Sequence, residues 1–263
     1  MAKTLKSGKN ELYTTAVNGI KPNSSIMCKS TNYNKCDSRM VRYIVCHYTG
    51  NSKDLAVNNA KYFKNNVVDE ASAHFFVDDT SIYQSVKMND IAWHCGANSY
   101  KHATCRNDNS IGVEMCCTAG NYKISSKTKK NAAYLVAALC KYLGIKEGDV
   151  SDCVLRHWDV TGKNCPAQMT GNKNAEWEDF ILMVRNILKN GDEDYSYKVQ
   201  ISSNTISVRK GAGMNYKATG TTVKKGEVFT IVEEKVNDGV TFGRLKSGAG
   251  WIPLKATLTK KVS

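Results

Sequence analysis

Two stretches of sequence decide the fold of the first part of this chain: MVRYIVCHYTG (residues 40–50) and SDCVLRHWD (residues 151–159). In each, a short apolar run predicts a buried strand that leads into a loop. The first run stops at His47 and the second at His157. Residues at the ends of strands often carry function, because a rigid scaffold holds them in place. The two histidines are therefore candidate site residues.

Strands and helices interleave around these two stretches. HFFVDDTSIYQSV (74–86) predicts a hairpin, and NSIGVEMCC (109–117) predicts a further strand. The apolar spacing predicts helices over residues 54–66, with Ser52 as N-cap, and over residues 125–144, which end in glycine. Because a hairpin interrupts the alternation of strand and helix, we predict an α/β fold with a mixed β-sheet flanked by helices.

A change of pattern near residue 190 divides the chain. NAEWEDFILMVRNILKNG (174–191) has helical apolar spacing and ends in glycine, and an acidic stretch follows it. Beyond that stretch, short alternating segments are separated by glycine-containing turns, which is typical of a small all-β barrel. We predict a first domain over residues 1–190, a linker over 191–196 and a second domain over 197–263.

The chain is strongly basic, with 37 Lys and Arg residues against 24 Asp and Glu residues and a formal charge of +13. Such a surface attracts nucleic acid, anionic membranes or an anionic cell wall. The sequence has no recognition helix, zinc finger or aromatic-basic RNA motif. The positive charge is therefore the only feature that would favour a nucleic-acid partner, and it is not sufficient. The longest apolar segment, residues 132–140, is too short to cross a bilayer. We expect no nucleic-acid partner and no membrane insertion.

The expected redox state of the cysteines depends on the compartment in which the chain is made. Lysines lie near the N-terminus, but no apolar run follows them, so we expect synthesis in the cytoplasm without a signal peptide. Thiols stay reduced there. We therefore expect most of the ten cysteines to be small buried apolar side chains, with one or two as metal ligands or nucleophiles. A disulfide framework is the weaker alternative.

One cysteine stands out because it lies close to a candidate histidine. Cys165 follows His157 within HWDVTGKNCP. Together with His47 these residues form a three-ligand set that suits zinc and leaves one coordination position for water, as in catalytic zinc sites. The alternative is that both histidines are buried structural residues and that Cys165 is an ordinary buried thiol.

The motifs VCHYTG, HFFVDDTSIYQ, AWHCGAN, NSIGVEM and HWDVTGKNCP, in this order, resemble the type-2 N-acetylmuramoyl-L-alanine amidases. This zinc family includes phage endolysins, bacterial autolysins and peptidoglycan recognition proteins. The resemblance implies a zinc amidase domain with Zn²⁺ held by His47, His157 and Cys165, where Cys165 replaces the commoner aspartate. It also implies hydrolysis of the amide bond between N-acetylmuramic acid and the L-alanine of the stem peptide.

The resemblance also suggests two catalytic residues. Glu114 in NSIGVEM is similar to the family's catalytic carboxylate, and strand alternation places it on one face with Gly112. Lys163 is similar to the family's lysine near the last ligand, where its charge would stabilise an oxyanion. The alternatives are a carboxylate without a catalytic role and an ordinary surface lysine.

Three further residues are candidates for substrate binding: Trp93 and His94 in AWHCGAN, and His74 at the start of the hairpin. A structural role for His94 is an equal alternative. Ala73 precedes His74 where some relatives carry a catalytic tyrosine, so the expected catalytic role falls on the glutamate and the lysine.

The C-terminal part, SVRKGAGMNYKATGTTVKKGEVFTIVEE followed by GRLKSGAGWIPL, resembles the bacterial SH3-like domain. This resemblance implies a cell-wall-binding module. We expect an exposed Tyr216 and a core that contains most of Phe229, Trp251 and Ile252. The combination suggests a phage endolysin that lyses a Gram-positive host, leaves the cytoplasm with the help of a holin and acts on peptidoglycan.

Two alternative functions remain open from the sequence. One is a protein that binds peptidoglycan without cutting it, although such relatives typically lack part of the zinc set. The other is a zinc peptidase that cuts within the stem peptide.

Overall fold

The computed structural model describes residues 2–8, 16–67, 71–190 and 197–262. Backbone contacts divide the chain into two units, with the boundary between Lys189 and Asn190. Each unit has its own β-sheet and its own buried core. The predicted linker over residues 191–196 lies outside the described residues.

The described residues of the first unit form nine strands. They are β1 (Lys3–Lys6), β2 (Tyr33–Asn34), β3 (Ser38–Val41), β4 (Tyr43–Tyr48), β5 (Phe75–Val77), β6 (Ile82–Gln84), β7 (Ile91–Ala92), β8 (Ser110–Met115) and β9 (Val154–Arg156). The main sheet has the order β6-β5-β8-β4-β9. Strands β5, β8, β4 and β9 run parallel, and β6 is antiparallel to β5, as the predicted hairpin requires. The mixed sheet is therefore confirmed.

Within the described part of this unit, five α-helices accompany the sheet. They are α1 (Ala56–Asn65), α2 (Ser126–Leu143), α3 (Val150–Cys153), α4 (His157–Thr161) and α5 (Asn174–Asn190). The hydroxyl of Ser125 caps α2 by accepting the N–H of Thr128, and Gly144 ends it in the left-handed region with φ 76°. The apolar faces of α2 and α5 contribute to the same core as the strands.

The predicted N-cap of α1 is wrong. Leu55 precedes the helix and offers no side-chain cap. The N–H of Ala56, which is buried and has no partner within the helix, instead donates to Oδ2 of Asp78 at 2.8 Å, in the turn of the β5–β6 hairpin. A carboxylate distant in sequence therefore takes the place expected for Ser52.

The prediction that the strand before His157 leads into a loop is also wrong. His157 is the first residue of α4. The carboxylate of Asp159 accepts the backbone N–H of Arg156 at 2.8 Å and pairs with its guanidinium at 2.7 Å. This local capping starts a helix directly at the end of β9.

Nine of the ten cysteines are buried, and Cys36 is half-buried. The expectation that most of them are small buried side chains is confirmed. Among the described residues, no helix has the length and apolar character needed to cross a membrane.

The second unit is all-β. Its strands are β10 (Tyr197–Ile201), β11 (Thr205–Arg209), β12 (Ala218–Lys224), β13 (Val228–Asn237), β14 (Val240–Leu245), β15 (Trp251–Pro253) and β16 (Thr259–Val262). They form one antiparallel sheet in the order β12-β11-β15-β14-β13-β10-β16. Ile252 is buried and Tyr216 is exposed, as predicted, but Phe229 and Trp251 are only half-buried. Smaller aliphatic side chains such as Val208 and Ile231 fill the centre instead. An SH3-like topology stays a prediction.

Candidate active site

Three neighbouring strands carry predicted site residues at their carboxyl ends. Strand β4 lies between β8 and β9 and runs parallel to both. The register pairs His47 directly with Glu114. It also pairs Cys46 with Arg156, the residue before His157. Because parallel strands end at the same edge of a sheet, the two histidines and the glutamate meet there.

The predicted metal ligands lie together at this edge. Candidate ligand atoms of His47, His157 and Cys165 all lie within 4.8 Å of one another. Nδ1 of His47 is 3.8 Å from Sγ of Cys165, and the ring centroids of His47 and His157 are 4.8 Å apart. Donor atoms around a tetrahedral zinc ion are about 3.3–3.8 Å apart. Small side-chain adjustments would therefore let these three residues hold zinc, and two imidazoles with one thiolate suit that metal.

The protonation states of the three groups also fit metal binding. Burial lowers the pKa of His47 well below its usual value, and nearby His94 and His157 lower it further. Burial and the charge of Lys163 lower the pKa of His157 to about 4. Burial raises the pKa of the Cys165 thiol to about 12. Both imidazoles are thus already in the neutral, metal-binding form, and only the thiol must lose a proton.

Glu114 faces the same site from β8. Its Oε2 atom is shielded from solvent and has no hydrogen-bond partner among the described residues. Burial raises the pKa of the carboxyl from 4.5 to about 8, although the positive charge of Lys163 opposes this shift. A carboxyl oxygen without a protein donor is available to exchange a proton with water or substrate.

A cavity of about 370 Å³ opens over the carboxyl ends of the strands. It is lined by all three candidate ligands together with Trp93, His94, Glu114 and Lys163. Lys163 is exposed to solvent at this cavity. Its backbone carbonyl accepts the N–H of Cys165 at 2.7 Å, which ties the lysine to the ligand loop.

The predicted substrate-binding residues divide into two groups. Trp93 and His94 line the cavity. His74 does not line it and is fully buried, so the structure does not support the predicted contact between His74 and substrate. Its Nδ1 accepts the N–H of Gly112 at 3.0 Å, and its Nε2 lies 3.1 Å from the carbonyl oxygen of Asp90. These contacts make His74 a link between the hairpin and β8.

His94 also contacts a predicted metal ligand. Its Nδ1 lies 3.1 Å from Nε2 of His47, and its Nε2 lies 3.1 Å from Oγ of Ser110. A Cβ atom on Gly112 would lie 2.5 Å from Cγ of His94. Gly112 is therefore needed for the close approach of this ring to β8.

Some cavity residues were missed by the sequence reasoning. Tyr48 and Asn164 also line the cavity. They adjoin the candidate ligands His47 and Cys165 in sequence, and this proximity could have identified them as cavity residues. Phe63 on α1 and Ser72 carried no such signal, because only the folded chain brings them to the cavity.

Comparisons with known proteins support this description. The family model "N-acetylmuramoyl-L-alanine amidase" matches residues 37–168. The amidase CwlL of Bacillus licheniformis is 32% identical over 194 residues, which cover 71% of this chain and 49% of that relative. Among solved structures, a mutant endolysin from Bacillus subtilis aligns with a TM-score of 0.51 and 27% identity, covering 63% of this chain and 99% of that chain. The PlyG catalytic domain aligns with a TM-score of 0.51 and 28% identity, covering 66% of this chain and 96% of that chain.

The chain spans about half the length, or less, of CwlL and of two further curated amidases that it matches. The family match nevertheless covers half of this chain and includes every predicted metal ligand and catalytic residue. The chain belongs to the N-acetylmuramoyl-L-alanine amidase family.

Proposed function

We propose that this protein is a zinc-dependent peptidoglycan amidase that hydrolyses the bond between N-acetylmuramic acid and the L-alanine of the stem peptide. The observation that carries the proposal is the meeting of His47, His157 and Cys165 with Glu114 at one cavity. The family membership supports the same substrate class.

The three candidate ligands would hold the metal and leave one side of it open to the cavity. A zinc ion bound there would supply a Lewis acid that activates water at neutral pH and polarises a carbonyl oxygen. His47 and His157 enter this arrangement as neutral imidazoles, so binding does not require them to lose protons.

Glu114 is the proposed general base and acid. Its Oε2, which has no hydrogen-bond partner in the described part of the chain, can take a proton from water and return it to the leaving amine. The charge of Lys163 lowers the pKa of Glu114, and a divalent cation on the adjacent ligands would lower it further. Glu114 would then be ionised, as a base must be, at neutral pH.

Lys163 is the proposed oxyanion-stabilising residue. It lies at the cavity beside the ligand Cys165, and its charge acts on both Glu114 and His157. A positive charge at this position would favour the negative oxygen that develops when the amide carbon is attacked. Trp93 and His94, which line the cavity, are the proposed substrate contacts.

The second unit is the proposed cell-wall-binding module, of the SH3-like type. Exposed Tyr216 and the basic character of residues 197–263 support contact with an anionic wall. The two units together support an endolysin of a phage that infects a Gram-positive host. We propose that the chain is made in the cytoplasm and acts on the wall after holin-dependent release.

The decisive experiment is digestion of purified Gram-positive peptidoglycan followed by mass spectrometry. Intact stem peptides that begin with L-alanine are expected. Release should stop with a chelator, return with zinc and be lost in Glu114→Gln. The exposed Glu147→Gln is the matched control and should retain activity.

Other products would change the proposal. Peptides cut after L-alanine would identify a peptidase that acts within the stem. Zinc binding without release of any peptide would identify a protein that binds peptidoglycan without cutting it.

A further inference from the structure

We propose that His94 is a positioning residue that fixes the tautomer and orientation of the metal ligand His47, through a hydrogen-bond chain that ends on the carbonyl oxygen of Arg106. The proposal rests on the metal-binding role of His47 in the proposed function. It assigns His94 a task that is separate from its expected contact with substrate.

The chain consists of two contacts between buried side chains, followed by one from a side chain to a backbone carbonyl. Nε2 of His47 lies 3.1 Å from Nδ1 of His94. Nε2 of His94 lies 3.1 Å from Oγ of Ser110. Oγ of Ser110 donates to the carbonyl oxygen of Arg106 at 2.5 Å. His47, His94 and Ser110 are all at least nine-tenths buried, so bulk water competes little for these bonds.

The last contact sets the direction of every proton in the chain. A backbone carbonyl can only accept, so the Ser110 hydroxyl must donate to Arg106 and is left to accept from His94. In its neutral form, His94 then carries its proton on Nε2 and presents an unprotonated Nδ1. That Nδ1 can only accept, so Nε2 of His47 must carry the proton and donate it.

The tautomer of His47 determines which of its ring nitrogens is free to bind a metal ion. With its proton on Nε2, neutral His47 has its free electron pair on Nδ1, which is the atom 3.8 Å from Sγ of Cys165. The chain thus turns the lone pair of His47 toward the other ligands. A partner on the second ring nitrogen is a common way to orient a metal-binding histidine.

Main-chain contacts fix His94 in this position. The backbone N–H groups of His94 and Cys95 both donate to Oδ1 of Asn107, at 3.1 and 2.8 Å. Gly112 on β8 leaves room for the ring, since a Cβ atom there would lie 2.5–2.9 Å from three atoms of His94. The position of His94 is therefore built into the strand and its neighbouring loop.

The first test is zinc affinity, measured on the full chain by competition with a chromogenic chelator. We expect His94→Ala to weaken zinc binding by about 10–100-fold. His94→Asn keeps an acceptor oxygen near the position of Nδ1 and should recover part of this loss. His102→Ala removes a histidine that lies outside the chain and should leave zinc affinity unchanged.

The second test reads the tautomers directly and does not depend on any variant. Nitrogen NMR of histidine-labelled, zinc-loaded protein should show His47 protonated on Nε2 and His94 protonated on Nε2. A proton on Nδ1 of His94, or zinc bound through Nε2 of His47, would overturn the proposal. Unchanged zinc affinity in His94→Ala would also overturn it.

Failure of this proposal can be distinguished from failure of the proposed function. If the unchanged chain releases stem peptides with zinc but shows the opposite tautomers, only the positioning role is wrong. If the unchanged chain binds no zinc, both proposals are wrong.

Discussion

Replacing Glu114 with glutamine should make the metal-free protein more stable, and increasingly so as the pH rises. The carboxyl is placed where its ionised form is poorly solvated, because Oε2 is shielded and has no donor among the described residues. Burial accordingly raises its pKa from 4.5 to about 8. Glutamine has a similar shape but no charge, so the free-energy cost of burying an ionised carboxylate is absent.

The magnitude follows from the two pKa values. Between pH 4.5 and about 8 the folded protein binds a proton that the unfolded chain does not, so stability falls as the pH rises through this window. At about 1.4 kcal/mol for each pH unit, the full effect is about 5 kcal/mol. Glu114 is half-buried beside an open cavity, which reduces the cost, and we expect about 2 kcal/mol.

The assay is urea unfolding of chelator-treated protein at about pH 5 and about pH 9, followed by circular dichroism. The stability gap between Glu114→Gln and the unchanged protein should widen by about 2 kcal/mol between these conditions. Glu147→Gln, which alters an exposed carboxylate, should show no such widening. A gap for Glu114→Gln that stays within about 0.5 kcal/mol would refute the reasoning.

Three further outcomes are expected from the same geometry. His157→Ala or Cys165→Ala should lower the zinc content from near one per chain to near zero by elemental analysis, because two remaining donors hold the ion poorly; full retention would contradict the ligand set. Lys163→Ala should lower kcat by about 10²-fold with little change in KM, because its charge matters most once the oxyanion forms; a pure KM effect in a peptide-release assay would place it in ground-state binding instead. Asp78→Ala should destabilise the first unit by about 2–3 kcal/mol in urea unfolding, since Asp78 accepts N–H groups of Ala56, Thr80 and Ser81. The exposed Asp37→Ala is its control, and an Asp78 effect below about 0.5 kcal/mol would exclude the capping role.

Local patterns in the sequence were sufficient to predict the main strands and the long helices. The helix over 126–143 has a serine cap, helical apolar spacing and a terminal glycine, and all of these signals act within the segment itself. The N-cap of the helix over 56–65 could not be predicted in this way, because Asp78 comes from a different hairpin. Signals that act between distant segments are visible only after folding.

The same distinction applies to the site. His47, Glu114 and His157 could be predicted to converge because each lies at or next to the end of a strand in a parallel set. His74 could not be placed from its motif, since its ring nitrogens contact the backbone of Gly112 and Asp90, which are distant in sequence. The contact between His94 and Ser110 also could not be predicted, because His94 lies in the loop after β7 and Ser110 is the first residue of β8. No local sequence pattern links these two positions.

The parallel pairing of β4 with β8 separates the parts of this protein that can vary from those that cannot. Main-chain hydrogen bonds in the middle of the sheet set the spacing between His47 and Glu114, so side-chain changes elsewhere leave that spacing intact. Phe63 and Trp93, by contrast, reach the cavity from outside these two strands. Evolution or engineering can therefore reshape the cavity walls to suit a different ligand while His47 and Glu114 keep their distance.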